Sequence, residues 1–295
     1  MPALTSWAAR GPGDGVTVPA GGWRLAAFFG LTFATSWALG AAGAWADPPA
    51  LGVALRLLAG FGPSLAAVGM VGASSGGPGL RAALARWLRW RVGWRWLALA
   101  FALPPVLMTV AVAAHVALGG ADPITVEARQ IPLVIGNFGL VFLIGGPLGE
   151  ELGWRGYATP ALRARMGWRS ASLIVGLVWG AWHLPLFLLT DGPQAQMSLP
   201  IFLINILAGA VVFGWLSERA GGSVVPALVL HTSLNGWAGV LGIVPTAETG
   251  RPYALVTLLL VVVAVGLISP RAATPTPGRP RHRRPPRATT RLRPG

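Results

Sequence analysis

An all-α, polytopic membrane protein is the fold class predicted by three features of this sequence: 54% hydrophobic against 11% charged residues, recurring apolar runs of roughly 20 residues, and arginines gathered into alternate loops. A mean hydropathy of +0.61 is more apolar than a water-solvated domain of this size tolerates, so the bilayer is the expected solvent. Every basic residue is arginine, and much of the net charge of +14 lies after residue 270. Arginines placed between apolar runs follow the distribution of membrane topology, so membrane lipid rather than nucleic acid is the expected partner. With no cysteine, disulfides, thiolate metal sites and cysteine nucleophiles are excluded.

About eight stretches are apolar enough to cross a hydrocarbon core of ~30 Å. They fall near 24–46, 50–72, 94–119, 131–152, 171–190, 198–217, 224–243 and 253–269. Residues 1–23 are rich in Gly and Pro and read as a disordered N-terminal arm, leaving a transmembrane domain over 24–269. Ala44-Trp45-Ala46 resembles a signal-peptidase site, but the apolar run before it exceeds the usual ~7–15 residues, so the first span is expected to stay uncleaved. Between Arg81 and Arg95, arginines alternate with Trp87, Trp90, Trp94 and Trp96, the pattern of a helix at headgroup level. Arg56 is expected to snorkel and to be structural. The tail 270–295 is Pro- and Arg-rich, too polar to bury a core, and suited to anionic lipid.

Nine acidic residues serve 295 positions, and Glu150 and Glu151 stand together at the end of an apolar run. A carboxylate at membrane depth costs at least ~2.5 kcal/mol and is normally paired or turned to a cavity. Arg155 stands one helical turn after Glu151, which makes that pair structural and leaves Glu150, about 100° around the helix, to point elsewhere. Gly145-Gly146-Pro147 breaks the span, with Pro147 suited to open a new helix. His183 lies within Trp179-Gly180-Ala181-Trp182-His183-Leu184-Pro185, expected in the middle of the fifth span with a kink from Pro185. His231 and Asn235 share one face of the seventh. His115 has no polar neighbour in its span and His282 lies in the tail, so neither receives a role.

Each motif alone fits a bland reading: a charge cluster ending a span, or His and Asn as interhelical hydrogen bonders. Together, Glu150, His183, His231 and Asn235 suit water activation beside an oxyanion site. A zinc ion held by Glu150, His183 and His231 is the alternative assembly, and the spacing leaves both open. Depth sets a condition: at ~1.5 Å per residue, an unbroken fourth span puts Glu150 at the cytoplasmic edge, with His231 ~10 Å and His183 ~18 Å further in. A tilt, or the break at Gly145–Pro147, must carry the glutamates inward.

The ordered set Glu150-Glu151-x-x-x-Arg155-Gly156, Trp179-x-x-x-His183 and His231-x-x-x-Asn235 resembles the CAAX-protease and bacteriocin-processing family over about 131–243, with Trp179 where Phe is usual. The resemblance implies an intramembrane endopeptidase. Glu150 would be the general base assisted by His183, with His231 and Asn235 forming the oxyanion hole and Glu151 and Arg155 orienting the site. It leaves the cofactor open between none, which is favoured, and zinc. A peptide or protein substrate is implied, and the lysine-free composition of a high-GC bacterial genome favours a peptide precursor or a membrane-bound regulator over a prenylated terminus. A proton-coupled transporter and a non-catalytic immunity or scaffold protein are the rival functions.

Arg10, Arg24, Arg81, Arg86, Arg89, Arg91, Arg95, Arg163, Arg165, Arg169, Arg219 and the tail fall on one side of an eight-span arrangement, against Arg129 and Arg251 on the other. Both termini are therefore expected in the cytoplasm of a cell with the protein in its inner (plasma) membrane. Reporter fusions at Ala46, Gly120 and the C terminus test this, and a periplasmic signal from the C terminus would overturn it.

Overall fold

The computed structural model describes residues 22–122, 130–189, 192–243 and 250–269, and every regular element among them is helical. The expected terminal arm up to residue 21, the tail with His282, and Arg129 lie outside the described residues. The helices are α1 (Gly22–Ala44), α2 (Pro49–Ala59), α3 (Gly62–Trp87), α4 (Trp94–Ala117), α5 (Ile131–Ile144), α6 (Pro147–Gly153), α7 (Thr159–Trp182), α8 (Leu199–Arg219), α9 (Val225–Val240) and α10 (Gly250–Ile268). A single π turn, Trp154–Ala158, joins α6 to α7, and a 3-10 turn, Leu184–Leu188, follows α7.

The chain is a helical, multi-pass membrane protein, but the span count differs from the expected eight. Five stretches are long and apolar enough to cross a membrane: α1, α4, the run Ile131–Leu188, α8 and α10. Helices α2 and α3, bent by 56° at their junction, make a sixth if taken as one span. The difference has two sources. Helix α9 has 16 residues, short of the ~20 a span needs, and the fourth and fifth expected spans fall within one apolar run interrupted by breaks. Leu133, Ile135, Leu258, Val262 and Val265 face outward, giving the molecule the apolar exterior that lipid requires.

Helices α7 and α8 pack closely, as do α4 with α9 and α10 with α8. Small residues let the first pair approach: a methyl added at Gly176 would meet Ala210 at 2.8 Å, and one at Gly214 would collide with Ser172 Oγ. Polar cross-links add direction. Asn205 donates to Thr257 Oγ1 at 3.0 Å, Ser233 to the Phe101 carbonyl at 2.6 Å, and the Trp37 indole to the Trp182 carbonyl at 3.1 Å. Arg56 donates to the Gly43 carbonyl at 3.0 Å, a structural contact between α2 and α1.

The basic-aromatic segment packs one of its aromatics into the protein. Trp87 is fully buried, its carbonyl accepting from Val224 N at 2.8 Å, while Arg89 reaches the carbonyls of Ala220 and Gly221 at 3.1 Å each. The segment therefore clamps the turn between α8 and α9. Trp90 and Trp94, by contrast, are exposed at 68% and 81%.

Close approach of α7 and α8 makes Gly214 a sensitive position. Gly214→Val should destabilise the detergent-solubilised protein by about 1–3 kcal/mol through overpacking against Ser172, read as a lowered thermal midpoint. An unchanged midpoint would refute this account of the interface.

Candidate active site

Helix α5 ends at Ile144, and Gly146, at φ 109°, turns the chain so that Pro147 opens α6 in a new direction. A residue with a Cβ is strained at that φ, and a methyl there would stand 2.7 Å from Glu150 Oε1 and 3.3 Å from His231 Nε2. This break answers the depth condition. Six of the seven residues of α6 are buried, the glutamates among them. Gly149 and Gly153 let α6 press on the α2–α3 junction, where a Cβ at either would meet the carbonyl oxygen of Gly60 or Pro63 at 2.5 Å. Ser64 adds a hydrogen bond to the Leu148 carbonyl at 2.9 Å.

The π turn that follows holds Arg155. Its widened winding brings the Trp154 carbonyl to Thr159, from which it accepts both the backbone N–H and the hydroxyl, Oγ1 at 2.7 Å. Phe28 of α1 backs the turn, stacked on Tyr157 at 4.7 Å between ring centres. Arg155 Nη1 donates to Glu151 Oε1 at 3.0 Å, and the same oxygen accepts from His231 Nδ1 at 2.7 Å. The guanidinium lies over Phe213 at 3.9 Å and Trp179 at 4.4 Å. Trp179, Phe213 and His231 meet edge to face in a mutual triangle with sides of 5.7–5.8 Å. A buried cation is thus flanked by one carboxylate and two π faces.

Glu150, 5% exposed, makes its hydrogen bond elsewhere than to Arg155: its Oε2 accepts from the Trp179 indole at 2.6 Å. His183 is not in mid-span as the sequence suggested. It ends α7, because Pro185 has no amide hydrogen to continue the helix and the chain passes into the 3-10 turn. There its Nδ1 bonds the Trp179 carbonyl at 2.8 Å, which leaves Nε2 as the nitrogen available in a neutral ring. Asn235, one turn beyond His231, donates to the Gly145 carbonyl at 2.9 Å and retains a second amide hydrogen. His115 lies apart, packed against Gly120 in the turn after α4.

The structure therefore brings Glu150, Glu151, Arg155, His183 and His231 around Trp179, with Asn235 at the break between α5 and α6. Two links were not legible in the sequence: the Trp179 hydrogen bond to Glu150, and the second partner of Glu151. The first had a faint signal in the Trp at a position usually filled by Phe. The second spans 80 residues and has no local spacing to betray it. Among the described residues no three His, Asp or Glu side chains are grouped as ligands for a metal ion, and His231, bonded to Glu151 through Nδ1, keeps Nε2 free.

Fold and site together define a class: helical membrane proteins with a buried carboxylate–imidazole centre between spans. Residues 132–237 match the family model for type II CAAX prenyl endopeptidase Rce1-like proteins, close to the 131–243 expected from the motifs. A CAAX prenyl protease 2 of Methanococcus maripaludis is 30% identical over 92 residues, covering 29% of this chain and 34% of that protein. The aligned stretch spans about a third of the relative's length. Residues 132–237 are therefore similar to the Rce1-like CAAX endopeptidases.

Glu151 is buried completely and compensates Arg155. Glu151→Gln should lower stability by about 3–5 kcal/mol, because it leaves the guanidinium uncompensated at depth. Thermal unfolding of the purified variant checks this, and a wild-type midpoint would show that the π faces suffice.

Proposed function

We propose that this protein is an intramembrane endopeptidase that hydrolyses a peptide bond of a membrane-associated peptide or protein with water activated by Glu150. The observation that carries the reading is the asymmetry of the Glu150 carboxylate. Oε2 is anchored by Trp179, whereas Oε1 faces the turn at Gly146 beside His231 Nε2. Glu150, assisted by His183, takes a proton from water, and the resulting hydroxide attacks the scissile carbonyl. The negative charge that develops on the carbonyl oxygen is met by His231, held through Nδ1 by Glu151, and by the remaining Asn235 amide hydrogen. The proton collected by Glu150 then passes to the departing amine as the carbon–nitrogen bond breaks, which restores the carboxylate.

The match of residues 132–237 to the Rce1-like family model supports the reaction class, and burial supports the exclusion of bulk water that such a site requires. A peptide precursor or a membrane-bound regulator fits the substrate class, with the protein in the inner membrane and both termini in the cytoplasm. Each rival makes a different demand on the same residues. A transporter would need Glu150 for proton movement without cleavage, and a scaffold would not need it at all.

Glu150→Gln keeps shape and volume but cannot accept the proton. Cleavage of a co-expressed, membrane-tethered peptide library should fall about 100- to 10,000-fold in the variant while its thermal midpoint stays near wild type. A stable Glu150→Gln protein with full peptidase activity would sink the assignment.

A further inference from the structure

We propose that Trp179 is a positioning residue: its indole N–H fixes Oε2 of Glu150 and so selects Oε1 as the oxygen that takes the proton. This rests on Glu150 as the base. The hydrogen bond is short, at 2.6 Å, and buried. Trp179 makes a second connection through its main chain, where its carbonyl accepts from His183 Nδ1 at 2.8 Å. One residue thus holds the carboxylate by its side chain and the assisting imidazole by its backbone.

Simple satisfaction of a buried donor would be the plainer explanation, since indoles usually find a partner when buried. This fold does not enforce that rule. The buried Nε1 atoms of Trp87, Trp154, Trp182 and Trp237 have no hydrogen-bond partner among the described residues. Against that background, the one directed at a charged oxygen of the reacting group stands apart. A hydrogen bond to a charged partner is roughly twice as strong as a neutral one, enough to hold a carboxylate in one rotamer.

The side chain's contributions can be separated. Trp179 also offers a ring face to Arg155 at 4.4 Å and an edge contact to His231, both of which a phenyl ring retains in kind. Trp179→Phe therefore removes the N–H while keeping an aromatic face and the backbone bond to His183. Replacement by benzothienylalanine, in which sulfur stands for the N–H, keeps the two-ring shape as well and serves if the phenyl variant folds poorly.

The test uses the full-length protein in detergent and a quenched fluorescent peptide carrying a sequence cleaved from the tethered library. Either replacement should lower kcat about 10- to 100-fold with KM and thermal midpoint near wild type, the size expected for losing one hydrogen bond to a charged group. Infrared difference spectra, assigned by their loss in Glu150→Gln, should show a shifted Glu150 carboxylate stretch. A replacement that keeps wild-type kcat, or that loses activity only in step with stability and without the infrared shift, overturns the positioning role. Full activity in Glu150→Gln overturns instead the reading beneath it, so the two failures are told apart.

Discussion

One carboxylate oxygen, Oε1 of Glu151, organises this molecule. It accepts from Arg155 within its own segment and from His231 on α9, so a local ion pair and a long-range contact share one acceptor. Charge at membrane depth is tolerated only when compensated, and removing any member leaves the others exposed to a low dielectric. The surrounding architecture follows from that need. The π turn aims Arg155, the triangle of Trp179, Phe213 and His231 encloses it, and the small residues of α6 admit the carboxylates to the interior.

Much of this was legible because it is local. One-turn spacing joined Glu151 to Arg155, Gly145-Gly146-Pro147 announced a broken helix, and hydropathy with arginine-rich loops announced the membrane. What spacing cannot encode is which side of a helix meets which partner far along the chain. The contact of Glu151 with His231 is of this kind, as is that of Trp179 with Glu150. The burial of Trp87 was hidden for a related reason: composition shows only a Trp among arginines, whereas a turn 137 residues later, at Val224, binds its carbonyl. His183 shows the limit of a correct signal. Pro185 was read as a kink in a continuing span, whereas the helix ends.

The motif roles also gain a division that sequence order does not express. Glu150 and Glu151 are adjacent, but their hydrogen bonds run to different partners because neighbouring positions on a helix diverge by ~100°. One faces an uncharged indole, the other a guanidinium and an imidazole. Adjacency in the motif thus supplies two contacts from one short segment: a carboxylate held by an indole, and a second that braces a buried guanidinium and an imidazole.

The segment bearing both glutamates begins after Gly146, at φ 109°, and α7 is broken again at Gly167, at φ 78°. Helices that span a bilayer tilt to match its hydrocarbon thickness, and in an unbroken rod that tilt would reach every side chain along it. The bends at both ends give residues 147–166 an axis that continues neither α5 nor the remainder of α7. The direction of the segment that bears the glutamates is thereby set by its own packing on the α2–α3 junction, through Gly149, Gly153 and Ser64, rather than by the axis of either neighbouring helix.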